Sequence, residues 1–170
     1  NIMSFEKNLQ LSTYLRSFGT FDTNLISAIE KTPMELFKVE ISNFNNRSKK
    51  INNAYLSAVI VQKLELKSHE KILEIGTGTG YFTSIFSRLS RKVYTLEKFK
   101  TLYVLANNNF KKLKLTNIKS KCQGGFNGWE EESPFDKIFI TGVINQINDE
   151  LIKQIDVNGK FVFLSLTSSG

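Results

Sequence analysis

The stretch Glu74-Ile75-Gly76-Thr77-Gly78-Thr79-Gly80 decides the fold of this 170-residue chain. It leaves a short apolar run, Ile72-Leu73-Glu74-Ile75, that reads as a strand. It opens a segment in which Phe82, Ile85, Phe86 and Leu89 fall at helical spacing. Glycines are needed at such a junction because the backbone turns sharply and a ligand must approach it closely. A nicotinamide or flavin dinucleotide asks for G-x-G-x-x-G, with the helix N-terminus aimed at a pyrophosphate. Here the spacing is G-x-G-x-G, with an acid two residues before the first glycine. A nucleotide P-loop is excluded because no Gly-Lys-Ser/Thr follows.

Strand and helix signals alternate from there onward. Lys92 to Leu96 reads as a second strand, followed by a helix to about Leu115. Ile118 to Cys122 reads as a third strand, Asp136 to Thr141 as a fourth, Asp149 to Ile155 as a helix and Lys160 to Leu166 as a fifth strand. This alternation predicts an α/β fold with a doubly wound, mostly parallel Rossmann-like sheet. Ahead of it, residues 4 to 18 read as an amphipathic helix with Ser4 as N-cap, ended by Gly19. Asp22 caps a second helix carrying Leu25, Ile26 and Ile29, and Pro33 follows it. Val39 to Ile51 is polar and reads as a loop. Helical periodicity returns over Ala54 to Leu66 through Tyr55, Val59 and Leu64. The expected organisation is an N-terminal helical segment with a substrate-side loop, residues 1–53, attached to a Rossmann-like domain, residues 54–170, as one unit.

Composition agrees with a folded single domain and excludes several other classes. Hydrophobic residues make up 41% and charged residues 23%, which is incompatible with intrinsic disorder. A chain of this length buries roughly 70% of the surface that its unfolded form exposes. Its longest strongly apolar run, Ala58 to Val61, is far below the ~20 residues of a membrane span. No export-type leader opens the sequence, so a cytoplasmic protein with no membrane partner is expected. A single Cys122 and a single His69 argue against a disulfide framework and against a metal site. The net charge of +7 is compatible with a nucleic-acid partner, an anionic substrate or drift toward Lys and Asn. Lys98, Lys100, Lys111, Lys112, Lys114, Lys119 and Lys121 carry the first of these readings. A nucleic acid is the less expected partner, because no Asn/Asp-Pro-Pro-aromatic stretch follows the fourth strand.

The glycine loop and its preceding acid look like the first motif of the class I S-adenosylmethionine-dependent methyltransferases. An acid there suits a cofactor that carries a sulfonium and an amino group. Glu97 closes the second strand 17 residues after Gly80, where a carboxylate can accept hydrogen bonds from both ribose hydroxyls. The plainer alternative is an ordinary solvated strand end. Gln123-Gly124-Gly125-Phe126 follows the third strand, where a small residue and an aromatic would frame an adenine. The cofactor-binding set expected on this basis is Glu74, Gly76, Thr77, Gly78, Gly80, Tyr81, Glu97, Lys98, Gly124, Gly125 and Phe126. No metal is expected in it.

More of the chain resembles one family in particular, the protein-L-isoaspartate O-methyltransferases. The resemblance is carried by Leu15-Arg16-Ser17-Phe18-Gly19, Asp22, Ala28-Ile29 and Pro33-Met34-Glu35-Leu36-Phe37. It continues through Lys71 to Tyr81, Val93 to Glu97, Gly128-Trp129, Pro134-Phe135-Asp136-Lys137-Ile138 and Gly159-Lys160-Phe161-Val162. It implies methylation of the α-carboxylate of isoaspartyl residues in damaged peptides and proteins, with S-adenosylhomocysteine as the product. A carboxylate is already ionised at neutral pH and is itself the nucleophile, so no strong general base is required. The family's Thr-Ile-Ser-Gln-Pro-Tyr stretch aligns with Lys50-Ile51-Asn52-Asn53-Ala54-Tyr55, which puts Asn52 in place of the serine. Asn52, together with Thr141 beside the methyl acceptor, is the expected catalytic pair. The family's Gly-Asp-Gly is Gln123-Gly124-Gly125 here, without the acid that bonds the adenine amino group. A sixth and seventh strand, which close the family's sheet as a hairpin, have no expected counterpart. A relative that binds the cofactor without turnover, and a methyltransferase acting on RNA or a small acceptor, stand as alternatives. His69 and Glu130-Glu131-Glu132 read as solvated turns, Trp129 as packing and Cys122 as a strand-end residue.

Overall fold

In a computed structural model, residues 12–37, 54–141 and 147–163 are described. Residues 12–17 are helical (α1), and Gly19, with φ +63, turns the chain out of the helix. The Asp22 side chain then accepts from the amides of Asn24 and Leu25, which starts α2 at Thr23–Glu30. A short 3-10 turn, Met34–Phe37, follows, and α3 spans Ala54–Leu64. The alternating part comprises β1 Lys71–Ile75, α4 Tyr81–Leu89, β2 Lys92–Glu97, α5 Lys100–Lys112 and β3 Ile118–Cys122. It continues through β4 Phe135–Ile140, α6 Asp149–Ile152 and β5 Ile155–Phe163. The sheet order is β3-β2-β1-β4-β5, and every pairing is parallel. The chain winds from the centre to one edge and then to the other, so a crevice opens at the carboxyl ends of β1, β2 and β4.

Alternation along β1 builds two cores, one on each face. Ile72 points to the face covered by α1 to α4, among Leu15, Ile29, Leu64, Ile85, Phe86 and Phe139. Leu73 points to the other face, with Trp129, Phe135, Ile138, Ile140 and Leu151. The leading helices are therefore built into the first core, sharing it with α4. Trp129 is buried and sets its ring edge-on to Tyr94, which is the packing role expected of it. His69 is exposed, as expected of a turn.

Several boundaries differ from expectation, each for an identifiable reason. In α3 the buried face is Ser57, Ala58, Ile60, Val61 and Leu64, while Tyr55 is exposed. Small residues let the helix sit close to the sheet, so Tyr55 and Val59 do not define its inner side. The helix after β4, α6, ends at Ile152 rather than Ile155, because Gln154 is drawn away. Its carbonyl accepts from the Phe135 amide at 2.8 Å and its side chain accepts from the Trp129 amide at 2.7 Å. The fifth strand begins at Ile155 rather than Lys160. The polar Asp156-Val157-Asn158-Gly159 reads as a turn, yet Phe135 pairs with Ile155 and Lys137 with Lys160, so these residues form a bulge inside the strand. Residues 4–11, the loop over 39–51 and Asn52 lie outside the described residues.

Candidate active site

A cleft of about 300 Å³ lies at the carboxyl ends of the central strands, floored by Ile75, Gly76 and Gly78. The glycine loop is bent over β2 because the amides of Gly76 and Thr77 both donate to the Leu96 carbonyl, at 2.8 and 3.2 Å. Gly80 ends the loop with φ +91, and a Cβ there would stand 2.5 Å from Cε1 of Phe110. Only glycine allows both that backbone and the close approach of α5. From β4, the Thr141 amide donates to the Ile75 carbonyl at 3.0 Å, and its hydroxyl lies 2.7 Å from the Gly76 carbonyl. Gly125 presses against the floor from the third strand's loop, where a Cβ would fall 2.1 Å from Cγ2 of Ile75.

Glu97, only 5% exposed, caps the cleft at the tip of β2. Its Oε2 accepts from the Gly78 amide and its Oε1 from the Phe99 amide, both at 2.8 Å. Each carboxylate oxygen can accept a second hydrogen bond, so both retain capacity toward the cleft. An anion also occupies the loop amide to which a dinucleotide fold would bring a phosphate. The remaining wall is apolar, made by Leu96, Phe99 and Leu102, with Lys98 and Gly124 at its rim. Phe99 is 54% exposed.

Glu74 lies behind the loop rather than on the cleft wall. It is fully buried, and its Oε2 accepts from the hydroxyls of Thr83 and, at 2.6 Å, Thr95. Thr95 in turn meets the Thr77 hydroxyl at 2.6 Å. Glu74 Oε1 has no hydrogen-bond partner among the described residues. Burial pushes this carboxyl up to about 8; the two threonine hydroxyls pull against that rise and the Glu97 carboxylate adds to it.

Of the residues expected at the site, Gly76, Gly78, Glu97, Lys98, Gly124, Gly125 and Thr141 come together on the cleft. Thr77 and Gly80 shape the loop from behind. Tyr81 packs edge-on to Phe37, its buried hydroxyl has no partner among the described residues, and burial followed by the nearby Glu35 raises its ionisation above the ordinary phenol range. Phe126 is 76% exposed and off the wall, its carbonyl accepting from Asn148. The aromatic beside the cleft is Phe99, which sequence reasoning missed along with Leu96 and Leu102. The signal was available: Phe99 follows the strand-end acid by two residues, and Leu102 lies in the first turn of the next helix. A larger hollow of about 650 Å³ lies among α2, α3 and α4, around Lys67, His69 and Arg88, at the end of the sheet away from the glycine loop. Among the described residues, no group of three His, Cys, Asp or Glu could hold a metal ion.

A sequence model of the protein-L-isoaspartate(D-aspartate) O-methyltransferase family matches residues 6–164. A protein-L-isoaspartate O-methyltransferase of Caulobacter vibrioides is 36% identical over 164 residues, covering 90% of this chain and 73% of the relative. One from Geobacter metallireducens is 34% identical over 171 residues, covering 94% and 79%. Among solved structures, a protein-L-isoaspartate O-methyltransferase superposes with a TM-score of 0.80 at 21% identity, covering 93% of this chain and 55% of that one. A Plasmodium falciparum structure assigned to the same activity, in complex with S-adenosyl-L-homocysteine, superposes with a TM-score of 0.72 at 20% identity, covering 94% and 84%.

Proposed function

Because the chain belongs to the protein-L-isoaspartate(D-aspartate) O-methyltransferase family, we propose that it methylates the α-carboxylate of L-isoaspartyl residues in damaged proteins. The methyl donor is S-adenosylmethionine, and S-adenosylhomocysteine is the product. The observation that carries this reading is Glu97 at the tip of β2, hydrogen-bonded to the Gly78 amide on a largely apolar cleft. A carboxylate there repels a phosphate and accepts from the vicinal hydroxyls of a ribose. Phe99, Leu102 and the bare backbone of Gly124 and Gly125 suit the flat face of an adenine. Glu74, Thr77, Gly80 and Tyr81 act from behind, by holding the loop and the first turn of α4.

When bound, S-adenosylmethionine supplies an electrophilic methyl group on a sulfonium. The chain has to hold the acceptor carboxylate in line with it and exclude water. Thr141 carries the floor of the cleft toward the acceptor side through its bonds to Ile75 and Gly76. Asn52, from the N-terminal substrate-side segment, is proposed to donate a hydrogen bond to the acceptor carboxylate. The expected location is the cytoplasm; no helix among the described residues is long and apolar enough to cross a membrane.

The test is release of S-adenosylhomocysteine with an isoaspartyl peptide and with its normal aspartyl isomer. Turnover with the first alone supports the proposal. Cofactor binding by calorimetry without turnover on either peptide would reassign the chain as a non-catalytic relative. The replacement of the family's serine by Asn52 makes that outcome the specific rival.

A further inference from the structure

We propose that Glu74 is carried as a neutral carboxylic acid and works as a positioning residue, tying the glycine loop to β2 and α4. It rests on the cofactor reading above only for its functional consequence. The geometry comes first. Two hydroxyl donors, from Thr83 and Thr95, converge on Oε2, and Oε1 has none among the described residues. Thr95 spends its single proton on Glu74, so its oxygen accepts from Thr77, and the glycine loop is the far end of that chain.

An ionised Glu74 would leave an anionic oxygen buried without a donor. A protonated one leaves only a neutral O–H unpaired, which is far less costly. Among the described residues, the groups facing it supply no cation. From β4 the neighbour is Phe139, from α4 Thr83, from the loop Thr77, and from β2 Thr95 with the Glu97 carboxylate beyond it. Arg88, the basic residue of α4, is turned to Thr32 and the Lys31 carbonyl.

The sign follows from linkage. An acid raised from 4.5 to about 8 on folding contributes stability that is fully present below 4.5 and is lost as pH rises through about 8. The experiment measures urea-unfolding stability of the ligand-free full chain from pH 6 to 9.5, for the wild type and Glu74→Gln, which fixes the neutral form. The wild type should lose stability across that range, and Glu74→Gln should lose measurably less. S-Adenosylhomocysteine affinity should fall roughly tenfold between pH 7 and 9.5 in the wild type, and that fall should shrink to about twofold in Glu74→Gln. Equal slopes in the two proteins would overturn the proposal. If Glu74→Gln does not fold, infrared spectra of the wild type decide the matter: a buried carboxylic-acid band lost between pH 7 and 9.5 supports the proposal, and its absence at pH 7 overturns it. Failure of the wild type to bind S-adenosylhomocysteine would count against the cofactor reading alone, because the ligand-free slope stands independently.

Discussion

Two glycine-bearing loops meet at the cleft, and they are held in opposite ways. The loop after β1 is tied by amides to the Leu96 carbonyl, by Thr141 to β4 and by the Thr77, Thr95 and Glu74 chain to the interior. The loop after β3 is held from its far side, by the Gln154 side chain on the Asn127 carbonyl and the Trp129 amide, by the Gly128 amide on the Gly125 carbonyl and by Asn148 on Phe126. Glycine serves backbone conformation at Gly76, Gly78 and Gly80 in the first loop, and clearance alone at Gly125 in the second. Gly124 and Gly125 have no positive φ, and what distinguishes Gly125 is the Ile75 side chain beneath it.

The largest effect is expected where conformation and contact coincide. Gly80→Ala should cost about 2–4 kcal/mol of stability, measured by urea unfolding, because both the backbone and Phe110 resist a Cβ. Glu97→Ala, which deprives two backbone amides of their acceptor, should weaken S-adenosylhomocysteine binding by about 30-fold or more in calorimetry. Phe99→Ala should weaken it by about 5- to 10-fold, while Phe126→Ala changes it by less than about twofold. Reversal of that pair would move the adenine site from the first loop's neighbour to the second loop. At the small end, Gly124→Ala should leave stability within about 0.5 kcal/mol, since nothing lies within 4 Å of its added Cβ. A marked loss of stability there would erase the contrast between the loops.

What was legible in the sequence follows the same division. The glycine loop, the flanking strand and the acid at Glu97 were readable because backbone geometry and strand ends leave local marks. The web behind the loop was not. Thr77, Thr83 and Thr95 are ordinary residues in sequence, and only the pairing of β1 with β2 puts Glu74 opposite Thr95. Phe126, after a Gly-Gly pair, has the local pattern of an adenine neighbour, yet it is largely exposed. Phe99 earns the position through the turn of the chain after β2, where the Glu97 carboxylate holds its amide. The bulge at Asp156 to Gly159 was unreadable for a related reason. Its composition is that of a turn, and only the pairing of β4 with β5 on either side keeps it in a strand.

The half-exposed ring of Phe99 also has a thermodynamic consequence. A hydrophobic wall that stands in water until a ligand arrives releases that hydration on binding, so association carries a negative heat-capacity change. The enthalpy of cofactor binding then becomes more favourable as temperature rises, and the balance between enthalpy and entropy shifts across the growth range while the affinity itself changes little.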